Sequence, residues 1–148
     1  MKMNKNLLVF IFIYIFIIGC DENPMTVNCV DCYLDLDAPD LVIDENGYYI
    51  MEFLDGYIQT FSTVRAFTGI DSQIIGWMSN TKYCTEFMGL IECVDVVNQS
   101  SYTDEEGIAH TILGVWEDFV GDTITIYAGY YDDCQNQYLD SLKVIVGE

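Results

Sequence analysis

Six cysteines and a surplus of carboxylates are the groups in this sequence with types and spacings that suggest chemistry. Cys29 and Cys32 stand as "CVDC", the spacing of a redox pair or of half a zinc site. A redox pair wants a helix within a strand–helix–strand unit, and no helical pattern follows Cys32. A zinc site wants a second close pair. Cys84 and Cys93 bracket "TEFMGLIE", eight residues, against the usual spacing of roughly two to four. Cys29 and Cys32 therefore read as bridge-forming or free thiols. The acids cluster in "DLDAPD" (Asp35, Asp37, Asp40) and "YYDDCQNQ" (Asp132, Asp133). Calcium takes roughly six to eight oxygen ligands, so these are weak Ca2+ candidates, and a solvated acidic surface is the alternative. The first stretch lacks the glycine and the distal glutamate of a helix–loop–helix calcium site. The one histidine, His110, has the opposite strand parity to Ala109, Thr111 and Leu113 and is expected to face outward. No G-x-S-x-G, S-x-x-K, H-E-x-x-H or phosphate-loop pattern occurs. The chain reads as a non-enzyme without a cofactor.

Where the chain sits follows from its first twenty residues. Lys2 and Lys5 precede an uncharged apolar run over 7–18, and Asp21 and Glu22 follow it. Twelve apolar residues are too few for a spanning helix, which needs about 20. A basic start, a short apolar stretch and a small residue at its end are the parts of a secretory signal peptide. Ile17-Ile18-Gly19-Cys20 resembles the lipobox of bacterial lipoproteins, with Ile17 where leucine is usual. The resemblance implies cleavage before Cys20, acylation of Cys20, and a lipid anchor in the bacterial cell envelope. The expected place is the outer membrane, at its periplasmic or surface face. Loss of Lys2 and Lys5 takes the formal charge from −19 to −21 and leaves Arg65, Lys82 and Lys143 as the basic residues. Such a surface repels nucleic acid and anionic headgroups, so attachment must come from acyl chains rather than charge. With 51% hydrophobic residues, the acidity does not read as disorder.

Export implies an oxidising compartment, where disulfides are the default for Cys29, Cys32, Cys84, Cys93 and Cys134. Cys84–Cys93 is the favoured bridge, because a hairpin or loop closes the short segment between them. Cys29 and Cys32 pair locally, or one of them reaches Cys134; these alternatives stay open.

Three segments follow from composition: a removed signal peptide over 1–19, an acidic tether over 20–40 that holds both prolines, and a folded domain over 41–148. From Leu41 onward, strand patterns succeed one another: "YYIMEFL", "YIQTFSTVRAF", "QIIGWMS", "IECVDVV", "IAHTILGVW", "DTITIYA" and "YLDSLKVIV". Each is rich in β-branched and aromatic residues, and Gly, Asp or Asn clusters separate them. Ile124, Ile126 and Ala128 alternate with Thr123, Thr125 and Tyr127, and Leu142, Val144 and Val146 form a second inward set. "TKYCTEFMGLIE" is the one place where a short helical turn is expected. The fold class read from this is all-β, a single Ig-like antiparallel β-sandwich of about seven or eight strands.

The stretch over 102–130 resembles the second half of bacterial immunoglobulin-like domains of the invasin/intimin type. The matching residues are Thr103, Asp104, Gly107, Ala109, Leu113, Gly121, Thr123, Ile124, Thr125, Ile126 and Ala128. The resemblance implies a module for adhesion, assembly or protein–protein interaction, with a protein or surface polymer as partner. "DENG" at Asp44 and "DEEG" at Asp104 echo each other and read as recurring hairpin chemistry. The alternative function is an envelope lipoprotein that binds a small ligand, a carbohydrate or Ca2+. It calls for an exposed patch that joins Trp77 or Trp116 to several tyrosines.

Overall fold

A computed structural model of the protein describes residues 32–54, 56–133 and 135–147. The signal peptide, Cys20, Cys29 and Cys134 of the sequence reading lie outside the described residues. The chain is all β apart from one 3₁₀ turn, Glu117–Phe119, among the described residues. Its strands are β1 Asp35–Asp37, β2 Val42–Ile43, β3 Tyr49–Glu52, β4 Gln59–Phe67, β5 Ile74–Ser79, β6 Lys82–Phe87, β7 Leu90–Asp95, β8 Ser100–Tyr102, β9 Ile108–Trp116, β10 Thr123–Tyr131 and β11 Gln137–Gly147. Eight of these strands have four or more residues, and the other three are shorter.

Two sheets face each other. One has the order β1-β4-β9, the other β2-β3-β11-β10-β5-β8, and β6-β7 form a separate two-stranded ribbon. Every pair is antiparallel except β3 with β11, which run parallel. The period-2 pattern decides which side chains go inside. Val64 and Ala66 of β4 and Ala109, Leu113 and Val115 of β9 are buried on one side. Ile124 and Ile126 of β10, Val144 and Val146 of β11, and Ile75 and Trp77 of β5 meet them from the other. Burying each such aliphatic side chain contributes about 1.5–3 kcal/mol. Trp77 lies in this core with its indole N–H donating to Ser101 Oγ at 2.8 Å, so its polar atom is satisfied.

The domain begins earlier than the acidic composition of 20–40 suggests. Asp35–Asp37 pairs with β4, Ala38 is fully buried, and Leu34 and Leu36 pack on the core. The Tyr130 hydroxyl donates to the Tyr33 carbonyl at 3.1 Å. Alternating leucines among the acids ("YLDLDA") carry this pairing, and the charge count hid a period-2 pattern. The expected helical turn in "TKYCTEFMGLIE" is likewise a pair of strands, β6 and β7. Met88 and Gly89 at its tip have φ of 52° and 79°. Two successive left-handed residues make the tight hairpin turn that matches strand twist, and they exclude a helix.

Aspartate sets three of the body's tight turns, the β2–β3 and β10–β11 hairpins and the turn that carries the chain from β8 in one sheet to β9 in the other. At Asp44, Oδ1 accepts the N–H groups of Asn46 and Tyr48, and the carbonyl accepts Gly47 N–H. At Asp104, Oδ1 accepts the N–H groups of Glu106 and Ile108, and the carbonyl accepts Gly107 N–H. Asp132 repeats the arrangement with Asn136 and Gln135. The echo between "DENG" and "DEEG" is therefore shared turn chemistry. Gly107, with φ of 77°, also comes so close to Gly69 that an added Cβ would sit 2.8 Å from its backbone. Only glycine fits there.

Candidate interaction surface

The β6–β7 ribbon stands apart from the sandwich. Ten of its twelve strand residues are exposed, so it has no core of its own. An isolated two-stranded hairpin is at best marginally stable in water. Two devices hold this one. The Cys84–Cys93 disulfide joins directly opposed residues. At the base, Tyr83 stacks flat on Trp116, with ring centroids 4.1 Å apart and planes 1° from parallel, and Phe119 meets both rings edge-on. The ribbon is thus a finger: a covalent staple along its length and an aromatic clamp at its root.

The fingertip is apolar. Phe87, Met88, Leu90 and Ile91 are between 68% and 87% exposed. Phe87 and Leu90 are a cross-strand pair and share one face with Thr85 and Glu92, while Ile91 and Glu86 share the other. Four large apolar side chains thus stand exposed at the end of a stapled hairpin, on both of its faces and at its turn, and exposed apolar surface of this kind marks interaction sites. The flanking charges are Glu86 and Glu92, and Lys82 lies at the base. One signal of the tip is readable from the residues alone. A run of apolar residues between two paired cysteines nine positions apart has nowhere inside to go.

The other candidates are distributed over the fold. Cys32 is a half-buried free thiol. It lies beside the Tyr138 hydroxyl, which donates to Asp132 Oδ2 at 3.2 Å. Burial, then that bond to Asp132, pushes the Tyr138 phenol above its ordinary range. Asp37 is taken by Arg65, whose guanidinium grips the carboxylate in a bidentate pair and lies over the Phe67 ring. Asp35 is exposed on β1, Asp40 lies in the turn beyond it, and Asp133 is exposed beside Asp132. No group of three or more His, Cys, Asp or Glu side chains among the described residues is placed to hold a metal ion. His110 faces solvent across from Arg65. Trp77 is buried and Trp116 is half-buried under Tyr83, so neither forms an exposed platform with the tyrosines. No helix among the described residues is long and apolar enough to cross a membrane.

No family model and no curated protein matches the chain. Among solved structures it is similar to the sporulation control protein Spo0M from Bacillus subtilis. The identity is 10% and the TM-score 0.37, over 80% of this chain and 50% of that one. The chain spans about half the length of that protein.

Proposed function

We propose that this chain is a non-enzymatic, lipid-anchored cell-envelope protein that presents an Ig-like sandwich of the invasin/intimin type for adhesion, assembly or protein–protein interaction. The observation that carries the reading is the stapled finger with Phe87, Met88, Leu90 and Ile91 exposed at its tip. Acyl chains on Cys20 hold the protein at the outer membrane, and the finger inserts its tip into an apolar pocket of a protein partner. Charge selects that partner. The processed chain carries a formal −21, and Glu86 and Glu92 flank the tip, so the complementary surface has an apolar centre and a basic rim. Few of the contacts in an interface carry most of its energy, and aromatic side chains lead among them.

The test is chemical crosslinking on intact cells, followed by purification of the chain and comparison with a Phe87→Ser/Leu90→Ser variant. The expected result is a discrete adduct that the variant lacks. An adduct that survives in the variant rejects the finger as the contact. Metabolic labelling with a radioactive fatty acid tests the anchor: label on the wild type and none on Cys20→Ser is expected, and unlabelled wild type refutes it.

A further inference from the structure

The outer face of the larger sheet has a composition unlike the rest of the chain. Its strands β8-β5-β10-β11 lie side by side and turn alternate residues to solvent. The sequence holds 24 acids, yet none stands at an outward position of these four strands, and Lys143 is the one charge there. Tyr102, Ile74, Tyr131, Leu139, Tyr127 and Met78 are exposed on this face instead. Register brings them together. Ile74 opposes Tyr102, Met78 opposes Tyr127, and Gly76 opposes Gly129, which in turn opposes Leu139. The Gln73 amide donates to the Tyr131 carbonyl at 3.3 Å and so brings Tyr131 to the start of β5. Gly76 makes a depression in the middle. A Cβ there would meet nothing nearer than the Gly129 carbonyl at 3.7 Å, whereas one at Gly129 would strike Leu139, which lies across it. Leu139 therefore covers Gly129 and leaves the Gly76 backbone bare between Ile74 and Met78. A glycine inside a strand weakens it, and marks either a bulge or a place where a ligand approaches the backbone. The register of Gly76 is unbroken toward both neighbouring strands, so no bulge accounts for it.

From these observations we infer that this face binds a neutral glycan, with one sugar ring seated over Gly76 and its neighbours against the surrounding tyrosines. Charge gives the first argument. The acidic chain repels an anionic ligand, and a cationic one finds carboxylates everywhere except here, so a ligand that selects this face is uncharged. Size gives the second. The depression and its rim extend about 13 Å along β5 and about 14 Å across the four strands, long enough for a short run of linked rings. That is about 200 Å2 in projection, far below the roughly 800 Å2 per partner that a stable protein interface buries. A second copy of the chain would also bring a like net charge. The third is chemical. Ring C–H groups of a sugar meet the negative π-face of tyrosine, and its hydroxyls meet those of the tyrosines and of exposed Ser100 and Ser141. The finger is rooted on Trp116 of the other sheet, so this face is a separate site.

Isothermal titration calorimetry on the purified full-length chain tests this with three neutral hexasaccharides, cellohexaose, maltohexaose and chitohexaose, and with the acidic hexagalacturonate. At least one neutral probe is expected to bind with a submillimolar dissociation constant, and hexagalacturonate at least about ten-fold more weakly than that probe. Gly76→Val fills the depression with a β-branched side chain that suits a strand. Binding should fall at least about ten-fold while the melting temperature holds or rises, which separates loss of the site from loss of the fold. Tyr127→Ala should weaken the same probe by about five-fold. Sedimentation of wild type is expected to show a monomer. No binding of any neutral probe, equal binding of hexagalacturonate, or a Gly76→Val chain that binds as well as wild type overturns the inference. A dimer that Gly76→Val dissociates assigns the face to a second copy and overturns it too.

Discussion

The sandwich and the finger are two solutions to the same problem within one chain. In the sandwich, Ile124, Ile126, Val144, Val146 and Val64 are completely buried, and their alternation makes a core. In the finger, ten of twelve strand residues meet water, and a disulfide and one stacked tyrosine take the place of a core. A region that is stable by burial hides its apolar side chains. A region that is stable by a staple is free to show them. The finger can therefore carry Phe87, Met88, Leu90 and Ile91 outward without losing its shape.

The sharpest way to separate the two regions is to damage each. Ile126→Ala removes a fully buried side chain at the centre of the six-stranded sheet. The loss should be about 3–4 kcal/mol, read as a lowered denaturation midpoint, and the finger should unfold with the body because its root stands on Trp116. Breaking the staple is the converse. Cys84→Ala/Cys93→Ala gives up about 2.5 kcal/mol of loop-closure entropy, but locally. Hydrogen exchange should speed up over 82–95 while amides of β4, β9, β10 and β11 keep their protection. Global unfolding of that variant would show that the finger belongs to the body's cooperative unit and would erase the distinction.

The contrast also explains what was legible beforehand. Strands β4, β9, β10 and β11 announce themselves because a half-buried strand must alternate, and Val64, Leu113, Ile126 and Val144 obey. β6 and β7 have no buried face, so "KYCTEF" reads as a helical turn and only β7 is legible, through the β-branched run "IECVDVV", while the cysteine spacing points to the closure between them. The turn at Asp132 was invisible for a different reason. Its left-handed residue is Gln135, φ 63°, where the two sister turns have glycine. Strand β1 was hidden by acids that alternate with the half-buried Leu34 and Leu36.

The turn at Asp132 offers a smaller test within the body. Its carboxylate is buried and holds Asn136 through N–H and Nδ2 and Tyr138 through its hydroxyl. Asp132→Ala leaves those donors unmatched and should cost about 2 kcal/mol by denaturant titration, with the finger's exchange rates unchanged. The fingertip gives the opposite signature. Phe87→Ser/Leu90→Ser touches nothing buried, so stability should hold within about 0.5 kcal/mol while crosslinking is lost. A large drop in stability would mean that the tip is packed in solution and is no free surface.

The smallest expected effect concerns an exposed carboxylate that the fold nevertheless uses. The Tyr48 N–H, 2.8 Å from Asp44 Oδ1, holds the Asp44 carboxyl below its ordinary value, and bonds from Asn46 and Gly47 add to this against a partial desolvation. A depressed folded-state pKa means that the unfolded chain binds the proton more readily. The bonds therefore stabilise the protein fully above the unfolded value, about pH 4, and the contribution is lost as pH falls through the lower folded value. Asp44→Asn keeps an acceptor oxygen but has no charge to lose. The melting temperature of wild type should exceed that of the variant by a constant margin from pH 7 to 5, and the margin should shrink below pH 4. A margin that stays constant down to pH 2 would show that the turn needs only an acceptor at Asp44, and that the body's hairpins are set by geometry rather than charge.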